Sequence, residues 1–351
     1  MKTVLYVVEN SDSAQYRYRC KNIAELLGSD NEWGVKIVVK SDLPSVKSCL
    51  SSVALVVVER QTDKSGEIAD FVHEAKRRGL KVFFDLDDLI FDYRYLPLLM
   101  WTTRSKNVFY WIGYFWGIRR IAKLVDGFIV TNEFLAQKIA QSFKKPVGII
   151  RNSLNIEQIR VSEKCVKKKS ENFVMGYFSG SPTHSRDLLM AWPGIERFLN
   201  KYDDAILWVV GYMKPTIKMR QFMKCGRIVM LPPVNYLDLQ KKISEVDVNI
   251  APLVINDFTN CKSELKFFEA GIVRTTTIAS PTYSFCKIIR DGKNGFLAER
   301  EDWFNKLEFL YLHNFENQKI ANEAKRDALK YYYGDEVLRE IIGTYNALLD
   351  E

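Results

Sequence analysis

One repeating pattern constrains this chain more than any other. Apolar, β-branched runs of strand length fall at Val4–Val8, Val35–Val39, Val53–Val58, Val82–Asp85, Gly127–Thr131 and Val147–Ile150. A helical or turn-rich segment separates each from the next, an alternation that specifies a mostly parallel sheet covered by helices. After a charged stretch poor in core residues, Val161–Asn172, which reads as a linker, the pattern restarts. Strands are expected at Phe173–Phe178, Ala205–Val210, Arg227–Met230, Val246–Ala251, Thr276–Ala279 and Gly295–Leu297. Helices are expected at Leu188–Lys201, Tyr236–Ser244, Lys262–Ala270 and Glu301–Leu312, with Gln318–Glu351 helical throughout. A chain of 351 residues is long for one core, so two doubly wound α/β halves follow. Such folds bind ligands outside the carboxyl ends of their strands.

Charge narrows the partners. The net charge of +8 implies attraction to something anionic: nucleic acid, an acidic membrane surface or a phosphorylated small molecule. The basic residues are scattered and no nucleic-acid fold is evident, so nucleic-acid binding ranks last. The cysteines at 20, 49, 165, 225, 261 and 286 form no CxxC and have no histidine neighbours. They read as reduced thiols of a cytosolic protein, without a zinc site. Met1–Asn10 reads as a first strand, with no leader peptide.

Three local features bear on chemistry. Lys262-Ser-Glu-Leu-Lys-Phe-Phe-Glu-Ala-Gly271 reads as a short helix with a glycine stop, and Lys262, Lys266 and Glu269 at i, i+4 and i+7 would share its exposed face. Two lysines and a carboxylate suit a ligand with a diphosphate at one end and a vicinal diol at the other; an ordinary solvated helix face fits equally well. Asp85-Leu-Asp87-Asp88 after a strand has the spacing of a metal-binding triplet, but such short motifs are weakly specific. Tyr93–Arg120 interleaves aromatic residues with arginine and lysine, and its uncharged run Asn107–Ile118 is too short to span a bilayer. It reads either as a helix packed on the first domain or as an interfacial, acceptor-binding helix that contacts an anionic membrane peripherally.

The ordered set of motifs in the second half resembles the donor-binding domain of GT-B glycosyltransferases, specifically the group 1 (family four) retaining enzymes. The segments that carry the resemblance are Met175–Asp187, Trp208–Gly211, Val234–Leu239, Glu245–Leu253, Lys262–Ser280 and Asp291–Leu297. Val130–Leu135 and Val147–Asn152 add a looser likeness in the first half. The resemblance implies an α/β, GT-B fold: two Rossmann-like domains facing across a cleft, residues 1–165 for the acceptor and 173–330 for the nucleotide-sugar. A helix over 331–351 would cross back to the first domain.

It further implies a glycosyltransferase, metal-independent and retaining, that needs no cofactor. A sugar would pass from a nucleotide-sugar donor to a glycan or lipid-linked acceptor in surface polysaccharide biosynthesis. The location would be cytoplasmic, peripheral at the inner face of the membrane if 93–120 touches lipid. Donor binding falls to Gly180, Ser181, Arg186, Lys262, Ser263, Lys266 and Glu269, catalysis to His184 and Asp88, and the acceptor side to Arg17 and Asp87. Gly180–Arg186 follows a strand and opens a helix, where backbone amides receive phosphate oxygens. Glu269 matches the second glutamate of the family's E-x7-E motif, which contacts the ribose. The first falls on Cys261, a departure that bears on the donor sugar and on stereochemistry. A non-catalytic module that kept the fold and lost the site is the competing expectation. Arg17 and Arg19 are expected on opposite sides of an extended loop, so that one of them reaches ligand.

Overall fold

The computed structural model describes residues 2–103, 107–166, 171–180 and 186–351, with the backbone alone at 47–49. The chain divides into two compact units: Met1–Asn155 with Cys261–Ser263 and Tyr332–Glu351, and Ile156–Asn260 with Glu264–Tyr331. The division at Asn155 precedes the expected linker, and Val161–Glu163 lie inside the helix Ile156–Glu163.

In the first unit, β1 (Lys2–Val8), β2 (Trp33–Val39), β3 (Leu55–Glu59), β4 (Lys81–Leu86), β5 (Gly127–Val130) and β6 (Val147–Ile149) form a parallel sheet. Its order is β2-β1-β3-β4-β5-β6. The strand sequences are apolar on both faces because helices cover both: Leu55–Glu59 is buried at every position. The order reverses beside β1, so the ligand crevice of this unit lies at the carboxyl ends of β1 and β3.

The second unit repeats the plan with β7 (Phe173–Ser179), β8 (Ala205–Gly211), β9 (Ile228–Leu231), β10 (Val248–Ala251), β11 (Thr276–Ala279) and β12 (Phe296–Leu297). Its order, β12-β11-β10-β7-β8-β9, is the doubly wound dinucleotide-binding arrangement read from its far edge. The switch point falls between β7 and β10. At Gly211 (φ +101°) the end of β8 closes on β7, where a Cβ would stand 2.1 Å from the Ser179 carbonyl oxygen.

The tail is two helices, Asn314–Tyr332 and Asp335–Asp350, broken where Gly334 takes φ +87°, so it is not helical throughout. Helix Asp335–Asp350 packs in the first unit as expected. Val337, Ile341, Tyr345 and Leu348 form its buried stripe, against the core built on Val4, Tyr6 and Trp33. The Tyr345 and Tyr6 hydroxyls share a short buried hydrogen bond, and the Tyr345 ring packs 5.6 Å from that of Trp33.

Candidate functional site

A dense charged cluster occupies the carboxyl edge of the first unit's sheet. β3 ends in Glu59, and the next residue, Arg60, reaches toward the loop that follows β4. Its guanidinium lies 3.1 Å from Asp87 and 2.7 Å from Asp88, and it also donates to Gln15 Oε1 at 2.6 and 2.8 Å. Lys262 Nζ sits 3.3 Å from the other oxygen of Asp88. Burial pushes Asp88 toward the neutral acid, but Lys262 and Arg60 outweigh it and hold the carboxyl below its usual range. Asp87 goes the other way: burial, with Asp88 adding, lifts it above the ordinary value. Glu59 is pushed up to about 8, chiefly by burial and then by Asp85 and Asp87. Tyr114, pushed up to about 12 by burial and by the two aspartates, lies on the aromatic side of the cluster. Its ring packs 5.8 Å from Trp111 and 6.1 Å from Tyr110.

Asp85 has a different task. Arg19 grips it with two hydrogen bonds of 2.9 and 2.8 Å and also donates to the Ile150 carbonyl and to Asn152. Both side chains are fully buried, so this pair ties β4 to the end of β6 and touches no ligand. Asp85 thus faces Arg19 while Asp87 and Asp88 share Arg60, so the three aspartates do not converge on one centre. No group of metal-ligating side chains gathers among the described residues.

The segment around Arg17 is not extended. Ala14–Tyr16 is a helical turn that runs into a π-turn over Arg17–Lys21, which buries Arg19 and leaves Arg17 half-buried beside the Tyr18 ring. π-turns recur at functional sites because they re-aim side chains.

The expected helix Lys262–Ala270 is also corrected. The helix runs Leu265–Ile272 with Glu264 at its cap, and Lys262 and Ser263 precede it. Asn132 donates to the carbonyls of Cys261 and Lys262 at 3.0 and 3.2 Å, and Asn152 donates to Ser263 Oγ at 2.8 Å. These bonds hold Cys261–Ser263 in the first unit, so Lys262 joins Asp88 instead of sharing a helix face with Lys266. Cys261, where the family glutamate would stand, is fully buried. Gly271 does not stop the helix. It allows close approach to Ala324, whose carbonyl oxygen would lie 2.8 Å from a Cβ, and the chain turns instead at Arg274 (φ +57°).

In the second unit, Gly180 is exposed beyond β7 and Arg186 caps helix Asp187–Lys201. Ser181 and His184 lie outside the described residues. Asp187 accepts from the Val254 amide at 3.1 Å, and Ser280 Oγ accepts from Leu253 N at 2.9 Å, which fixes the loop after β10 at the switch point. Asn249 at the centre of β10 donates to the Lys266 carbonyl at 3.0 Å, which anchors helix Leu265–Ile272 on the sheet. Lys266 Nζ stands 4.8 Å over the Tyr177 ring. Glu269 is buried, not on an exposed stripe.

Sequence reasoning missed Glu59 and Arg60, while Tyr114 fell inside the aromatic stretch Tyr93–Arg120 without being singled out. The available signal was position: a charged pair at the end of an all-apolar strand in a ligand-binding crevice.

Residues 174–312 match the family described as Glycosyl transferases group 1. Among solved structures, the chain superposes on Anabaena HepE in complex with UDP with a TM-score of 0.66 at 13% identity, covering 99% of this chain and 100% of that one. Sucrose-phosphate synthase from Thermosynechococcus elongatus gives 0.65 at 11% identity over 100% of both chains. A glycosyltransferase from Rickettsia africae gives 0.63 at 12% identity, over 99% of this chain and 98% of that. None of the curated proteins matches in sequence. The architecture is that of the GT-B glycosyltransferases. The match to the group 1 glycosyl transferases, at residues 174–312, lies in the second unit apart from Cys261–Ser263, and on it the chain reads as a glycosyltransferase.

Proposed function

We propose that this enzyme transfers a sugar from a UDP-sugar to a hydroxyl of a glycan or lipid-linked glycan in surface polysaccharide biosynthesis, with retention of configuration and without a metal ion. UDP is the nucleotide assigned because HepE was solved with it in a structure of the same fold. The observation that carries the reading is the second unit's switch point. Gly180, Arg186, Lys266 and Glu269 lie on the elements around the ends of β7 and β10, inside the region that matches the family. Arg186 at a helix start and Lys266 are the groups for a departing diphosphate, and Glu269 is the carboxylate for ribose hydroxyls.

The acceptor side is assigned to the Arg60–Asp87–Asp88 cluster. A carboxylate held below its usual range is a weak base, so Asp88 orients an acceptor hydroxyl by accepting its hydrogen bond. Deprotonation then falls to the leaving phosphate, on the same face as the bond that breaks. Tyr110, Trp111 and Tyr114 offer aromatic surface to a sugar ring beside that hydroxyl.

A thermal-shift panel of UDP, GDP, CMP and dTDP tests the nucleotide, since a ligand that binds only the native state raises the melting temperature. UDP is expected to stand out, and Glu269→Ala to abolish its shift. The reading falls if no nucleotide shifts the parent, or if Glu269→Ala transfers sugar as well as the parent does.

A further inference from the structure

Helix Val108–Leu124 divides its side chains between two arcs. Phe115, Ile118, Ile121 and Ala122 turn inward and are buried. Phe109, Ile112, Trp116, Arg119, Arg120 and Lys123 fall within an arc of about 100° on the other side. Along that outer stripe the first half is apolar and open to solvent, with Phe109 82%, Ile112 42% and Trp116 51% exposed. The second half is basic.

Beside the basic half is a cavity of about 450 Å³, lined by His73, Tyr93, Trp116, Arg119, Arg120 and Lys123 among others, with no carboxylate among its described lining residues. Arg119 is braced by a 3.1 Å hydrogen bond to the Phe91 carbonyl and by the Tyr93 ring at 5.7 Å. Arg120 lies over Trp116 at 5.6 Å, with Asp63 at 3.7 Å. Asp63 itself accepts from the amides of Gly66 and Ala69 at the start of helix Glu67–Arg77, and Glu74 on that helix faces Arg77 and Arg78.

We propose that this stripe docks the enzyme on a membrane rich in anionic phospholipid. A headgroup phosphate enters the His73–Arg119–Arg120–Lys123 cavity, while Phe109, Ile112 and Trp116 enter the boundary with the acyl chains. Phe109 and Trp116 are about 10 Å apart along the axis, so a helix lying in the plane of the surface presents both to the headgroup and acyl boundary. Among the described residues no helix is long and apolar enough to cross a membrane, so the contact is one of lying on the surface. Charge complementarity selects the lipid, since each basic side chain at an anionic surface multiplies partitioning about fivefold.

Sedimentation of the full chain with vesicles of phosphatidylcholine, alone or mixed with phosphatidylglycerol, tests the proposal. Retention is expected on the mixed vesicles only and should weaken with salt. The double variant Phe109→Ser, Ile112→Ser should lose binding at least tenfold, and Lys123→Glu about twenty-five-fold. Both alter exposed positions, so an unchanged melting temperature controls for folding. Equal binding to neutral and anionic vesicles overturns the proposal, as does parent-level binding by both variants. So does a dimer abolished by Phe109→Ser with no vesicle retention, which would give the face to a second copy of the chain. Docking does not rest on the assignment of UDP: vesicle retention and the nucleotide shift can fail separately.

Discussion

Replacing Glu59 by glutamine should make the protein more stable at neutral pH and change how that stability depends on pH. The carboxyl is 2% exposed, and its Oε1 has no hydrogen-bond partner. Burial, then Asp85 and Asp87, push it from 4.5 to about 8, against the pull of Arg60 and Arg19. Between those values the folded protein keeps a proton that the unfolded chain releases. Stability is therefore fully present below pH 4.5 and declines by about 1.4 kcal/mol per pH unit until the folded group ionises. Over the whole interval the loss is on the order of 5 kcal/mol. Glutamine preserves the shape and does not titrate, so this slope should vanish. Chemical denaturation of parent and variant across pH 5 to 9 at fixed ionic strength gives the comparison. The advantage of Glu59→Gln should grow up to about pH 8 and then level off. An advantage independent of pH would refute the reasoning, because it would place the ionisation of Glu59 outside the interval.

Arg60→Ala should leave Asp87 and Asp88 repelling each other, with Lys262 the remaining cation at Asp88. The expected result is a loss of sugar transfer of at least tenfold, with about 1–3 kcal/mol of destabilisation, read from kcat and denaturation. Arg19→Met strands the buried Asp85 and should cost about 3–5 kcal/mol in denaturation experiments. Tyr345→Phe removes the partner of the buried Tyr6 hydroxyl and should lower stability by about 1–3 kcal/mol without changing the fold. Asp88, held below its ordinary value of 3.8, stabilises the folded state above that pH and loses this contribution as pH falls. Asp88→Asn should therefore flatten the acid limb of the stability profile.

The strands were legible because hydrophobic runs such as Leu55–Glu59 are buried on both faces and leave no other reading. Helix Tyr236–Ser244 appears with its expected bounds because Asn235 caps it, accepting from Leu237 and Asp238. The start of helix Leu265–Ile272 was not legible. Nothing local breaks the periodicity at Lys262; the break comes from Asn132, more than a hundred residues away in sequence, whose amide captures the Cys261 and Lys262 carbonyls. For the same reason the partner of Lys262 was hidden. Asp88 was singled out by its motif and Lys262 by its helix pattern, and the pairing depends on tertiary structure alone. Gly271 misled because a glycine near a helix end serves either as a stop or as a close approach, and only the neighbour at Ala324 decides between them.

The return of Tyr332–Glu351 to the first unit has a consequence for biosynthesis. During translation, the hydrophobic groove left by β1, Trp33 and their neighbours stays uncovered until all of Ile156–Tyr331 has been made, since the side chains that fill it are Val337, Ile341, Tyr345 and Leu348. The second unit can condense first, which reverses the usual amino-to-carboxyl order of domain folding. A ribosome stalled near Tyr331 would hold an open first unit, a natural client for a chaperone. A fragment ending at Asn155 should be recovered as aggregate rather than as an independently folded domain.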